Sequence, residues 1–145
     1  MRCLVEAAAV VLGVEPEVLI GEIGHDGSEK LEIWNFNPPF CYRGVHIQEI
    51  QECFLRRGKC LYLIERHPCS RPPLEGSKLF FLPGKEELFF DIIHGGYGIA
   101  LGERPASGIA HAGVLRDNLI FEPDGVTRYS LYDFRVRSVY LVGSK

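Results

Sequence analysis

The apolar residues of this chain change their spacing once, and that change limits what it can fold into. Up to about residue 57 they recur at helical intervals; beyond it they fall in short runs bounded by turn residues. From Cys3, the residues Leu4, Ala7, Ala8, Val11 and Leu12 form one helical stripe, with Gly13 as its stop. Pro16 suits the first position of a second helix that carries Val18, Leu19 and Ile23 and stops at Gly24. Residues 24–44 read as loop, and "GVHIQEIQECFLRRG" reads as a third helix burying Ile47, Ile50 and Phe54. Then "KCLYLIE" is a strand, "HPCSRPPLEGS" a connector and "GKEELFFDIIHGG" a short helix ending at Gly95. Four further strands follow in "GYGIALGE", "GIAHAGVLR", "NLIFEP" and "FRVRSVYLVG". Alternation in the last predicts Phe134, Val136, Ser138 and Tyr140 on one face. Helices first and an antiparallel sheet second predict an α+β class, as a single domain over residues 1–145.

Composition narrows the function classes. A net charge of −3 offers no electrostatic footprint for nucleic acid or an anionic membrane. No apolar run approaches the roughly 20 residues that span a bilayer, so no membrane partner is expected. The N-terminus lacks the pattern of a signal peptide, and five cysteines is an odd number, so reduced thiols in a cytoplasmic protein are expected. "HGGYG" lacks a phosphate-loop lysine, and no cofactor is expected. Cys53, Cys60, His67 and Cys69 lack the paired knuckles of structural zinc sites, so no metal is expected. Oligomeric state stays open.

The residues able to carry chemistry are a thiol, a base and a group to orient that base. Cys3 stands at a helix start, where partial positive charge favours a thiolate. His111 lies in a strand among the small residues Ala110, Ala112 and Gly113, which leave room for a substrate. A tight turn at Asp117–Asn118 returns the next strand and brings Glu122 across from His111, within reach of a carboxylate–imidazole contact.

A cysteine on the first helix, "HAGV" on a strand, a short turn and "IFEP" on the next strand resemble the papain-like cysteine peptidases, closest to the C39-like branch. The stretches "IGHDG" and "GVHIQEI" are similar to small bacterial proteins of that type. The resemblance implies a papain-like fold, helices packed on a C-terminal antiparallel sheet. It also implies a thiol peptidase or amidase acting on a peptide or protein substrate. Cys3 would be the nucleophile, His111 the base and Glu122 the orienting acid where the branch usually has aspartate. Members usually carry a glutamine a few residues before the cysteine as an oxyanion donor. Only Met1 and Arg2 stand before Cys3 here, which turns attention to Gln48 or Gln51 on the third helix. The rival expectation is a catalytically silent papain-like domain that serves as a binding module.

Plainer readings stand beside these. Cys3 alone is an ordinary core residue, His111 a satisfied strand histidine, and Glu122 part of a turn. His25 either caps the second helix and shapes its loop or lines the substrate cleft. Trp34, Phe36 and Phe40 are either core pegs or a substrate-facing wall.

Overall fold

In the computed structural model, residues 2–35, 37–66 and 85–144 are described. Four helices and eight strands appear among them. The first helix, α1 (Cys3–Leu12), ends where Gly13 turns left-handed at φ 70° and the Val14 N–H returns to the Ala9 carbonyl at 3.0 Å. Helix α2 (Pro16–Ile23) begins on its proline and stops at Gly24. Helix α3 (Ile47–Leu55) buries Ile50, Cys53 and Phe54.

Residues 24–44 are more ordered than the loop the sequence suggests. Strands β1 (Lys30–Glu32) and β2 (Phe40–Tyr42) pair antiparallel. The ladder continues outward through Arg43 N–H to Glu29 O at 2.7 Å and Gly44 N–H to Gly27 O at 2.9 Å. At Gly27 the two backbones come so close that a Cβ would meet the Gly44 carbonyl carbon at 2.8 Å. Three-residue strands with mostly exposed side chains carry too little apolar alternation to announce themselves. Trp34 sits beyond β1 and is 87% exposed, so it is not a core peg. Phe40 is half-buried, edge-on to Tyr42 and under the Lys30 ammonium. Phe36 lies outside the described residues.

The remaining strands, β3 (Lys59–Glu65), β4 (Gly98–Glu103), β5 (Ala110–Arg116), β6 (Leu119–Phe121), β7 (Arg128–Ser130) and β8 (Ser138–Ser144), form one antiparallel sheet. Its order is β3-β8-β4-β5-β6-β7. Both faces are covered. On one, Ile99, Ala112, Val114 and Phe121 meet Val5, Ala7, Ala8 and Val11 of α1 and the buried stripes of α2 and α3. The small side chains of α1 let its backbone approach the sheet closely. On the other face, Ala100, Leu115, Ile120 and Val139 meet Phe89 and Ile93 of α4 (Lys85–Ile93) together with Phe134 and Val136.

The run "FRVRSVYLV" is therefore not one strand. Arg135 is left-handed at φ 51°, and Phe134 closes a turn through its N–H to Ser130 O at 3.1 Å. Regular strand begins only at Ser138. The segment docks on the end of β4 through Glu103 N–H to Phe134 O and Arg137 N–H to Leu101 O, both 2.8 Å. Phe134 and Val136 are buried under one face of the sheet, while Tyr140 packs on the other.

Candidate active site

Antiparallel pairing brings the C-terminal ends of β4 and β6 to the N-terminal end of β5. His111 is the second residue of β5, opposite Gly102. The turn joining β5 to β6 has both central residues left-handed, Asp117 at φ 53° and Asn118 at φ 61°, which suits a two-residue hairpin. Its register pairs Leu115 with Ile120 and Val114 with Phe121. Extended outward, that register sets His111 opposite the position of Asp124. Glu122 is thus a diagonal neighbour on the same face, and its long side chain closes the gap. His111 Nε2 lies 2.8 Å from Glu122 Oε2, the contact anticipated from the sequence.

Glu122 is held from several sides. Its N–H donates to Thr127 O at 2.8 Å, and Asp124 accepts the Val126 and Thr127 N–H groups to fix the turn beyond it. Arg104, the residue after β4, donates from Nε to Glu122 Oε1 at 3.2 Å and from Nη2 to Oε2 at 3.4 Å. Burial alone would raise the Glu122 carboxyl, but the hydrogen bonds from His111 and Arg104 outweigh it and hold the group below its ordinary 4.5. The same contact with Glu122 raises Arg104 further. Half-buried Tyr129 on β7 is pushed up by desolvation and by the charge of Glu122.

The carboxylate also decides the imidazole tautomer. A deprotonated Nε2 at 2.8 Å from a carboxylate oxygen would set two acceptors against each other, so Nε2 carries the proton and donates it. Arg104 Nη2, 3.2 Å from the same nitrogen, is then a neighbouring cation whose hydrogen bonds go to Glu122. Nδ1 has no partner among the described residues and is the basic nitrogen. Phe134 walls the ring, with centroids 6.2 Å apart, and is itself stacked on Tyr129. Gly102 is required there: a Cβ would come within 2.7 Å of the Phe134 ring and carbonyl.

Cys3 is half-buried at the first turn of α1, and no side chain caps that helix end. The leading N–H groups of α1 therefore remain as donors beside the thiol. Cys3 packs with the α1 side of the sheet, whereas His111 shares the opposite face with Phe134. Among the described residues no hydrogen bond joins the two. Cys3 lies within electrostatic reach of Arg104.

The other sequence candidates are placed elsewhere. Gln51 is spent on the backbone of Leu61, accepting its N–H at 2.9 Å and donating to its carbonyl at 3.3 Å. Gln48 is exposed and lines a groove with Ile47, Leu55, Leu61 and Tyr140. That groove belongs to the β3–β8 side of the sheet, with β4 between it and β5, so neither glutamine joins His111. His25 does not line the site either. Its Nε2 bonds Glu49 Oε1 at 2.7 Å and its Nδ1 accepts the Gly27 N–H at 3.1 Å. Cys53 is core, its thiol pushed up to about 11 by burial and the nearby Glu22. His67 and Cys69 lie outside the described residues.

Arg104, Tyr129 and Phe134 were not evident from the sequence. Arg104 had a usable signal, since two residues beyond Gly102 it shares the face that carries His111. No family model matches this chain, and neither does any curated protein or solved structure.

Proposed function

We propose that this chain is a papain-like thiol hydrolase, of the C39-like kind, that cleaves a peptide or other amide bond. The observation that carries the reading is His111: Nε2–H is committed to a buried carboxylate, and Nδ1 is unengaged among the described residues. The scheme requires the Cys3 thiol, packed on the other face of the sheet, to reach Nδ1 past the N-terminal end of β5; there Nδ1 takes its proton and the sulfur adds to the carbonyl carbon. Backbone N–H groups at the start of α1 receive the charge that develops on oxygen. As the C–N bond breaks, the imidazolium gives its proton to the departing amine and a thioester remains. Water, deprotonated by Nδ1, then releases the acid and restores the thiol. Glu122 holds the tautomer throughout.

Iodoacetamide labelling resolved by peptide mass spectrometry tests the reading. Cys3 is expected to react far faster than Cys41, which is exposed and has no histidine partner among the described residues. His111→Ala is expected to slow Cys3 by roughly a hundredfold, the lower end of what general bases contribute. Equal labelling of both thiols, unaffected by His111→Ala, would sink it. The missing Cys3–His111 hydrogen bond favours a second reading, a silent papain-like binding module, and that same negative result would select it.

A further inference from the structure

The site contains a cation that the hydrolytic scheme above does not use. Arg104 is 48% exposed, while the His111 and Glu122 side chains beside it are 10% exposed each. Its guanidinium turns the Nε–Nη2 edge toward Glu122, and Nη1 has no partner among the described residues. The outer Nη1–Nη2 edge is therefore a two-pronged donor that opens beside His111 Nε2, within electrostatic reach of Cys3. Tyr129 and Glu122 are the other titratable groups that Arg104 feels. Glu122 offsets the charge of Arg104 but leaves those donors unfilled.

The chemistry says which part of a substrate reaches this edge. In amide cleavage the imidazole protonates the departing amine, so the leaving group lies over His111 and the acyl group lies toward the thiol. An anion within reach of Arg104 is thus carried by the leaving group. We infer that Arg104 is a specificity-determining residue that receives a carboxylate on the amine side of the scissile bond, as in a substrate that releases a C-terminal or acidic amino acid. This rests on the thiol-hydrolase reading.

The test compares iodoacetate with iodoacetamide at Cys3. Both reagents meet the same thiolate, so their rate ratio cancels nucleophile activation and reports the anion site alone. The ratio is expected to fall about fivefold or more in Arg104→Gln and to fall partly in Arg104→Lys, which keeps the charge but not the fork. An unchanged ratio in Arg104→Gln overturns the inference. Because losing the clamp on Glu122 can disturb folding, a second measurement uses the unaltered protein. N-acetylglycylglycine is expected to protect Cys3 from iodoacetamide at lower concentration than its carboxamide does. Equal protection, including none by either, overturns the inference. A ratio that falls in Arg104→Gln while Cys3 labels no faster than Cys41 would overturn the hydrolase reading and leave the anion site standing.

Discussion

Among the described residues two histidine–glutamate pairs of nearly equal length occur, and their surroundings differ. His25 and Glu49 meet at 2.7 Å, and His111 and Glu122 at 2.8 Å. Both imidazoles are mostly buried and both donate from Nε2. The difference is the second nitrogen. In His25 it accepts the Gly27 N–H, so the ring is saturated and serves to tie a loop to α3. In His111 it has no such partner among the described residues. Glu49 likewise has its other oxygen taken by the His46 N–H at 2.9 Å, whereas Glu122 shares both of its oxygens with Arg104. A carboxylate–imidazole contact does not by itself mark a reactive centre; among the described residues the second nitrogen is what separates the two pairs.

Four substitutions probe that contrast, beginning with the largest effect. Phe134→Ala removes the buried wall that only the His111 pair possesses. It should lower stability by about 3–5 kcal/mol in urea denaturation. A loss below about 1 kcal/mol would show that the wall is not structural. Glu122→Gln deletes an anion that serves both His111 and Arg104, and a loss of about 1–3 kcal/mol is expected at neutral pH. Its pH dependence has a definite sign. The folded Glu122 carboxyl is depressed, so its contribution is present above the ordinary 4.5 and vanishes as pH falls through the lower folded value. The gap between wild type and Glu122→Gln should therefore narrow on acidification below that point; a constant gap contradicts the assignment.

His25→Ala should remove about 1 kcal/mol, measured the same way, and leave Cys3 labelling unchanged. Slower labelling in this variant would dissolve the distinction between the two pairs. Trp34→Ala, at an exposed loop, should shift stability by less than about 0.5 kcal/mol.

Legibility followed the range of the interactions. The α+β order, the three early helices, β3 and the Asp117–Asn118 hairpin all depend on neighbouring residues, and they were readable. The His111–Glu122 contact was readable because one short turn sets it. Phe134 was misplaced because alternation predicts strand wherever it occurs, and only docking on β4 forces the left-handed turn at Arg135. Whether Trp34 pegs the core or faces outward could not be read, because an indole in a loop carries no sign of which way it faces; its 87% exposure rules out the core role. Gln51 looked free since its partner, the backbone of Leu61, belongs to another element.

The base and the thiol also differ in when they can come into being. Arg104, His111 and Glu122 fall within one strand meander, whose contacts span few residues and close early. Cys3 is more than a hundred residues away in sequence and meets the sheet only when α1 docks on it. During synthesis the sulfur therefore emerges well before the strands that carry Arg104, His111 and Glu122. Any reactivity of Cys3 beyond that of a plain thiol would be a property of the completed fold, absent from a partly folded chain.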